Sequence, residues 1–273
     1  MKALISVLIC TYNAEKYIAN TLKSVLQQSY RHIEVLILDN NSSDETVRVI
    51  ENFDDERIRL FCKKENLGAY GGINFLLEKA AGDFMAVQDH DDLWHPQKLA
   101  LQIKVLQEKD NILACGANHI EFFEKEQIYY AKQQPEFFYR TFHPSILFRK
   151  TKKRYDTSII FACDVNFMTN ILCEKEKKIY NVQQVLVAHR RRNDSKNLSE
   201  QWKKNISWQY IKNFHAVSDS WLTTVKFVIK EVFLPKSIRR KIELNAFEVK
   251  TIASMKDDTH LLPFYKYLES ETI

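Results

Sequence analysis

The sequence predicts an α/β protein in which a mostly parallel sheet is flanked by helices and followed by a helical C-terminal extension. Strand-like and helix-like segments alternate four times within about the first 110 residues, which predicts βαβ units with right-handed crossovers. The strand-like segment "EVLIL" is apolar throughout, as expected for a sheet covered on both faces. Helical patterns alone follow Glu200, and they predict the extension.

Each element of the first half follows from a local pattern. The first strand is predicted at "LISVLI" and the first helix at "AEKYIANTLKSVLQQ", whose apolar residues recur on one face. The second strand is "EVLIL", and the helix "SSDETVRVIENF" follows it, with Ser42 and Glu45 spaced as a capping box. The third pair is "RIRLF" and "GGINFLLEKAAG", which stops at Gly82. The fourth is "DFMAV" and "PQKLALQIKVLQ", with Pro96 at the helix start.

The pattern changes after Asn111. A hairpin is predicted at "ILACGANHIEFF" and "QIYYA", a short strand at "HPSILFRK" and a helix at "ACDVNFMTNIL". Two further strands are predicted at "KIYNV" and "VLVAHR". No linker-like composition separates the parts, so we expect the extension to pack on the first domain. The predicted boundaries are 1–199 for that domain, divided into halves 1–110 and 111–199, and 200–273 for the extension.

Composition narrows the class of protein. The chain has 273 residues, of which 45% are hydrophobic and 27% charged, values ordinary for a soluble globular protein. Five cysteines are scattered singly without a C-x-x-C pair, which argues against a disulfide framework or a zinc site and favours a reducing cytoplasm. The apolar stretch within the opening "MKALISVLIC" is too short for a signal peptide, and no apolar stretch of the sequence is long enough to span a membrane.

Acidic residues crowd the end of the fourth strand, in "QDHDD". Carboxylates are the ligands that Mg²⁺ and Mn²⁺ prefer, so Asp89 and Asp91 form a candidate cation site. The alternative is a solvated turn in which Asp92 caps the next helix. Two other polar clusters, "CTYN" and "LDNNS", also follow predicted strands. Since the carboxyl ends of parallel strands share one rim, we expect the three clusters to lie together and interpret the acids as functional.

Four segments in this order resemble the family 2 glycosyltransferases with the GT-A fold, a Rossmann-like nucleotide-sugar-binding architecture. They are "ISVLICTYN", "SVLQQSYRHIEVLILDNNSSDET", "IRLFCKKENLGA" and "AAGDFMAVQDHDDLWHPQKL", within residues 4–110. The resemblance implies a nucleotide-sugar donor, with a UDP- or dTDP-sugar expected, and Mn²⁺ or Mg²⁺. It implies transfer with inversion to a glycan or lipid-linked acceptor in cell-surface polysaccharide synthesis. Residues 1–110 then form the nucleotide-sugar-binding half and 111–199 the acceptor-side half.

The resemblance also assigns roles to residues. Donor-binding residues are expected at Thr11, Tyr12, Asn13, Asp39, Asn66, Gly68 and Asp89, and metal ligands at Asp91 and Asp89. Two positions depart from the family pattern. Ile73 stands where members often carry an arginine that helps to hold the donor, and Asn40 stands where they often carry a second aspartate.

The second half matches more loosely. The segments "HPSILFRK" and "ACDVNFM" resemble the acceptor-side strand and the start of the acid-bearing helix, which makes Asp164 the expected general base. The alternative for Asp164 is an acid favoured by the helix dipole. In "VLVAHRRRNDS" we expect Arg190 to bind the donor diphosphate and His189 to be a further metal ligand. The alternative there is a basic surface loop.

The C-terminal part is strongly basic. Residues 203–250 contain ten Lys and Arg but four Asp and Glu, and residues 226–241 mix these charges with apolar residues at near-helical spacing. This pattern favours a helix whose apolar face packs on the enzyme, with contact to an anionic membrane at its cytoplasmic face as the alternative. Nucleic acid is not an expected partner, because no recognition motif is present.

Other activities fit less well. A sugar-nucleotide nucleotidyltransferase would need a glycine-rich, basic phosphate loop near its N-terminus. An aspartyl phosphatase would carry its acid pair on the first strand, and "GAYGG" does not give the glycine spacing for nicotinamide cofactors. A non-catalytic glycan-binding module would not need both Asp91 and Asp164.

Overall fold

The computed structural model describes residues 2–159, 162–192 and 236–270, together with 222, 225 and 234. The strands are β1 Ile5–Thr11, β2 Ile33–Asp39, β3 Ile58–Cys62, β4 Phe84–Asp89, β5 Leu93–Trp94, β6 Ala114–Phe123, β7 Ile128–Lys132, β8 Phe137–Phe138, β9 Leu147–Arg149, β10 Ile179–Arg190 and β11 Lys250–Thr251. The helices are α1 Ile18–Leu26, α2 Thr46–Glu51, α3 Gly68–Lys79, α4 Lys98–Glu108, α5 Cys163–Asn166, α6 Lys236–Asn245 and α7 Leu262–Glu269. The helices predicted within 200–221, and most of the candidate membrane segment 226–241, lie outside the described residues.

The predicted α/β class is confirmed by the sheet. Strands β3, β2, β1 and β4 lie side by side in this order and run parallel. Along the sequence, one of the helices α1 to α3 follows each of the strands β1, β2 and β3. Strand β9 then pairs antiparallel with β4, and the predicted β6–β7 hairpin extends the sheet. Strand β10 runs parallel to β6 and pairs with the short strands β5 and β8. The sheet is therefore parallel in its first half and mixed in its second.

The parallel strands are apolar throughout because both faces of the sheet are covered. Successive side chains of β1 point to opposite faces. Val7 packs in one cluster with α1 and α4, whereas Leu8 packs in another with Ile73 and Leu76 of α3. All four of these side chains are buried. This two-sided burial fixes the strand ends, and so the rim, on a rigid core.

The C-terminal part that the structure describes packs on the first domain, as the sequence predicts. A 3₁₀ helix at Ile252–Asp257 and helix α7 bury Met255 and Phe264 against apolar residues of β5, β6 and β10. The Nδ2 of Asn20 in α1 donates to the carbonyl of Tyr267 at 3.0 Å. A two-residue strand, β11, pairs with β7 within this otherwise helical part. None of the described helices combines the length and apolar character that a membrane crossing needs.

Two local predictions need correction. The capping box of Ser42 and Glu45 does not form, because the Oγ of Ser42 accepts instead from the N–H of Asn13 at 2.9 Å. Helix α2 begins at Thr46, whose N–H donates to Asp44 Oδ1 at 3.1 Å. The two strands predicted after residue 178 are one continuous strand, β10, whose irregular register with β6 absorbs the polar interruption between them.

Candidate active site

The three polar clusters predicted at strand ends lie on one rim of the sheet. In the parallel ladder Thr11 of β1 stands opposite Asp39 of β2, and Cys10 stands opposite Asp89 of β4. The rim therefore brings the ends of three neighbouring strands together, although they are far apart in sequence. This arrangement is where open α/β sheets bind ligands.

The turns after β1 and β2 are tied to each other. Asn13, at φ 48°, accepts through its Oδ1 from the N–H of Ser43 at 2.9 Å. Asp39 uses one carboxylate oxygen, Oδ2, to accept from the N–H of Ser42 at 3.0 Å. Its Oδ1 and the Oγ1 of Thr11 are buried without a hydrogen-bond partner among the described residues. Buried polar atoms are nearly always paired, so these two indicate a ligand. Tyr12 beside them is 47% exposed.

The loop of Asn66 and Gly68 is held against β2 by Asn40. The Nδ2 of Asn40 donates to Asn66 Oδ1 at 2.9 Å, and its Oδ1 accepts from the N–H of Leu67 at 2.8 Å. An aspartate in place of Asn40 would have no N–H to donate, so this departure from the family pattern has a structural reason. Gly68 has φ +72°, a conformation that a side chain disfavours.

Helix α3 approaches β1 closely on the other side of this loop. A Cβ at Gly72 would lie 2.3 Å from the Sγ of Cys10, so only glycine fits there. The next residue, Ile73, is buried in the apolar cluster with Leu8. Ile73 thus supplies core packing where relatives often carry arginine, and any positive charge for a donor has to come from another element.

The acid loop, residues 89–92, meets the end of β10. Asp92 is fully buried and joins the two elements: its carboxylate lies 3.1 Å from His189 Nδ1 and accepts from the backbone N–H of Arg190 at 2.9 Å. Asp92 is therefore occupied by protein contacts. Asp89 and Asp91 remain as the two carboxylates of the loop that are free of backbone donors among the described residues.

Charges in this cluster are strongly coupled. Burial and the charges of Asp92 and Asp91 raise the pKa of Asp89 to about 8. Burial also favours the neutral form of Asp91, but nearby positive charges hold the pKa of Asp91 below its usual value. Burial lowers the pKa of His189, yet the carboxylate of Asp92 outweighs this and raises it to about 9. The crowding of the cluster therefore favours a proton on Asp89 and another on His189.

Three arginines follow His189, and two of them, Arg190 and Arg192, contact the acid loop in different ways. Arg190 is buried; its Nε donates to the carbonyl of Asp91 at 3.0 Å and its Nη1 to Glu124 at 2.9 Å. These contacts support the acid loop from beneath, and the predicted donor contact of Arg190 stays a prediction. Arg192 instead places its Nε 2.9 Å from Asp91 Oδ2. The sequence alone does not distinguish Arg190 from Arg192, because both carry the same charge and their contacts depend on the path of the chain at the end of β10.

The acid loop fits a hard divalent cation. Asp89 and Asp91 offer carboxylate oxygens, and Mg²⁺ or Mn²⁺ commonly take one or two of these and complete their shell with water and substrate phosphates. The crowding that raises the pKa of Asp89 is an excess of negative charge that a cation would relieve. In the described part of the chain no group of three or more His, Cys, Asp and Glu side chains is arranged to hold a metal. The predicted metal contact of His189 stays a prediction: like Asp89, His189 would have to give up a proton to become a ligand.

Asp164, at the start of α5, lies near the acid loop, and we call the space between them the cleft. Ala162 just before it has φ 55°, a left-handed conformation that costs energy for alanine and turns the chain into the helix. The carboxyl group of Asp164 is half-exposed, and its charge is among those that raise the pKa of Asp89. The structure therefore brings the candidate base within electrostatic reach of the acid loop, although 75 positions separate them in the chain.

The comparisons with known proteins agree on the family. The family model "Glycosyl transferase family 2" matches residues 6–171, more than half of the chain. An Escherichia coli protein, the UDP-Glc:alpha-D-GlcNAc-diphosphoundecaprenol beta-1,3-glucosyltransferase WfgD, is 40% identical over 116 residues, which are 42% of this chain and 46% of that protein. The chain spans about half the length of the curated relatives it matches; for four of them, the matched part is 39% to 64% of the relative's own length.

Solved structures show the same fold at low identity. S. aureus TarS 1–349 in complex with UDP-GlcNAc aligns with a TM-score of 0.63 and 17% identity, over 85% of this chain and 72% of that one. The mannosyltransferase PcManGT from Pyrobaculum calidifontis, in complex with GDP-Man and Mn²⁺, aligns with a TM-score of 0.58 and 13% identity, over 100% and 86% of the two chains. These likenesses establish the GT-A architecture expected from the sequence.

Proposed function

The chain belongs to glycosyl transferase family 2, and on this premise we propose that it moves a sugar from a nucleoside-diphosphate donor to a hydroxyl of a glycan or lipid-linked acceptor. The proposed setting is the synthesis of a cell-surface polysaccharide. One observation carries the proposal: the acid loop shares a rim with the unpaired Asp39 and Thr11 oxygens and lies within electrostatic reach of Asp164.

The donor would lie along the rim. The unpaired Oδ1 of Asp39 suits an N–H of the base, and uracil and thymine both present one, which favours a UDP- or dTDP-sugar. Thr11, Tyr12 and Asn13 would contact the nucleoside from the first turn, with the loop of Asn66 and Gly68 on the other side. TarS was solved with UDP-GlcNAc, and WfgD is named for a UDP-Glc donor, which supports a uridine nucleotide here.

The diphosphate would lie at the acid loop. Asp91 and Asp89 would hold Mn²⁺ or Mg²⁺ together with the diphosphate oxygens, and the cation would neutralise the charge that develops on the leaving group. The structure of the similar protein PcManGT contains Mn²⁺, which supports the proposal that this chain also binds a metal. Arg192 beside Asp91 would add the positive charge that Ile73 does not supply. Arg190 and Asp92 keep the loop in place beneath.

The transfer itself needs a base on the acceptor side. The acceptor hydroxyl oxygen forms a bond to the anomeric carbon while the bond from that carbon to the diphosphate oxygen breaks. The hydroxyl proton passes to the carboxylate of Asp164, and the nucleoside diphosphate leaves with the bond's electron pair. Because attack comes from the face opposite the leaving group, the anomeric configuration inverts.

We place the reaction at the cytoplasmic face of a membrane, where a lipid-linked acceptor would be presented. Within 226–241 the structure describes the start of α6, and Ile238 and Ile242 of this helix are 46% and 47% exposed. Exposed apolar residues among lysines and arginines are typical of helices that lie on anionic membranes.

A thermal-shift screen of nucleotide sugars with Mn²⁺ tests the proposal. A ligand at a hundredfold excess over its Kd stabilises the folded protein by about 2.7 kcal/mol, so the true donor should raise Tm by several degrees. Asp91→Asn should keep the fold, since relief of the repulsion with Asp89 offsets the lost ion pair with Arg192, but it should lose the metal-dependent part of this shift. Asp110→Asn, on an exposed side chain far from the rim, is the matched control. If no nucleotide sugar stabilises the wild type with either metal, the proposal is wrong.

A further inference from the structure

A stack of aromatic rings adjoins the cleft and takes no part in the contacts described above. Tyr70 of α3 stacks on Tyr155 with ring centroids 5.4 Å apart, and Tyr155 stacks on Phe167 at 3.9 Å. His143 meets the Tyr70 ring edge-on at 6.0 Å. Phe167 lies in the helical turn that continues α5, three residues after Asp164. The stack therefore connects α3, which follows the proposed nucleotide loop, with the element that carries the proposed base.

Tyr155 is fixed by three hydrogen bonds. Its hydroxyl lies 2.8 Å from His143 Nε2, and its backbone N–H and carbonyl bond to the side-chain amide of Asn74 at 2.9 Å each. Tyr155 and His143 are both buried. Because both partners are immobile, they hold the ring of Tyr70 in one orientation.

Unlike the hydroxyl of Tyr155, the hydroxyl of Tyr70 does not help to hold the stack in place. Tyr70 is half-buried, and its hydroxyl makes no hydrogen bond within the described part of the chain. Burial, together with the nearby carboxyl groups of Asp164 and Asp89, raises the pKa of Tyr70 well above its ordinary value. The phenol therefore stays protonated and can donate. The stack therefore presents an unused donor where α3, which follows the loop of Asn66 and Gly68, meets the element that carries Asp164.

We propose that Tyr70 binds the transferred sugar and helps to decide which sugar is accepted. The inference rests on the proposed function, because the sugar must lie between the diphosphate at Asp89 and the attacking hydroxyl at Asp164. In that position the Tyr70 hydroxyl donates to a hydroxyl of the sugar ring. A sugar that lacks this hydroxyl, or carries it with the other stereochemistry, leaves the phenol unpaired in a partly buried site and binds less well.

The test compares Tyr70→Phe with the wild type by calorimetry in Mn²⁺, using UDP and the UDP-sugar that gives the largest shift in the thermal screen. Phenylalanine keeps the ring stack and removes only the donor. We expect UDP to bind both proteins equally and the UDP-sugar to bind the variant about threefold to tenfold more weakly, the usual effect of one lost hydrogen bond. Tyr265→Phe, which removes a hydroxyl from surface helix α7, should change neither affinity.

Three results would overturn the inference, and they differ in what else they overturn. If Tyr70→Phe leaves the affinity for the UDP-sugar unchanged, or weakens UDP to the same extent, Tyr70 does not bind the sugar, while the proposed function stands. If only the acceptor KM rises, the residue belongs to the acceptor side. If the wild type binds no UDP-sugar, the uridine-nucleotide donor and the inference built on it are both wrong.

Discussion

The three aspartates of the acid loop have different roles, since one holds the loop in place and two are proposed to bind the ligand. Asp92 is buried and fully engaged by His189 and the backbone of Arg190, whereas Asp89 and Asp91 keep oxygens available at the rim. The raised pKa of Asp89 and the raised pKa of His189 have a common origin in this crowding. A loop with this much charge is stable only because β10 delivers cationic groups to it. The same groups would screen the charge of a bound diphosphate.

The role of Asp164 can be tested by one substitution. Asp164→Asn keeps the shape of the side chain and removes the proton acceptor, so we expect the transfer rate to fall by about a hundredfold or more. Donor affinity should stay within about twofold of the wild type, because the carboxylate lies on the acceptor side of the cleft. Stopped-assay kinetics and donor titration measure the two quantities separately.

Asp156→Asn is the control for this variant. Asp156 precedes the same helix and is exposed, and its carboxylate accepts from the N–H and hydroxyl of the neighbouring Ser158. Its substitution should leave the transfer rate near the wild-type value. Parallel losses of rate and donor affinity in Asp164→Asn would mean that the residue maintains the cleft and does not accept the proton.

The sequence predicted which residues would meet at the rim but not how each is held. Thr11, Asp39 and Asp89 could be placed together because each ends an apolar run and parallel strands align their ends. The contacts of Asn40 and Asp92 could not be foreseen, since their partners, the loop of Asn66 and the end of β10, are brought near only by the tertiary fold. Tyr70 gave no signal at all, because an aromatic residue near a helix start usually belongs to the core.

Helices and strands were predicted best where the pattern of nearby residues alone determines them. The strands of the first half and the helices between them follow from hydrophobic periodicity, which reports burial directly. The capping box failed because Ser42 has a better partner in Asn13, a residue 29 positions away. Strand β10 was divided in two because its exposed glutamines, Gln183 and Gln184, interrupt the apolar pattern. Pairing with β6 on both sides of the interruption keeps it continuous.

Helix α6 is the element whose surface can be tested against membranes. Ile238 and Ile242 are one turn apart and exposed, on a helix that also carries four lysines and arginines. We expect sedimentation with anionic liposomes at low salt and release at high salt, since each basic residue near such a surface contributes at most on the order of 1 kcal/mol. Replacing both isoleucines by serine should weaken binding at every salt concentration.

Val249→Ser is the matched control for the helix, because Val249 is also exposed but lies outside α6. It should sediment with liposomes as the wild type does. If the wild type fails to bind even at low salt, the exposed face of α6 serves another contact, such as a second copy of the chain, and the membrane proposal is wrong.

At the scale of the whole molecule, the parallel half of the sheet supplies the rim and the mixed half supplies the opposite side of the cleft. The first half could be predicted because each βαβ unit is nearly self-contained. The second could not be predicted in detail, since β9 pairs with both β4 and β6 over large sequence distances. A cluster of buried polar groups between α4 and β6 joins the two halves. It includes Lys98, a fully buried residue that carries a titratable amine.

Lys98 allows this junction to be tested through pH. It is fully buried, its Nζ donates to Gln102 Oε1 at 2.9 Å and lies 3.8 Å from the Trp94 ring centroid. Gln102 in turn donates to the carbonyl groups of Cys115 and Ser145. Burial lowers the pKa of Lys98 to about 7. Between pH 7 and the unfolded value near 10.5, the unfolded chain binds a proton that the folded chain does not, so this residue makes folding more favourable as pH rises.

Lys98→Met removes that pH dependence but leaves the rest of the protein's titration unchanged. The stability of the variant relative to the wild type should therefore fall by about 2 kcal/mol between pH 7.5 and pH 9.5, measured by urea unfolding at both values. The absolute difference also contains the cost of leaving Gln102 Oε1 unpaired, but this cost is the same at both pH values and cancels. Lys104→Met, on the exposed face of the same helix, should show a change below about 0.5 kcal/mol. A Lys98→Met difference that does not change with pH would mean that the buried ammonium keeps its ordinary pKa, and that Gln102 and Trp94 compensate fully for its loss of water.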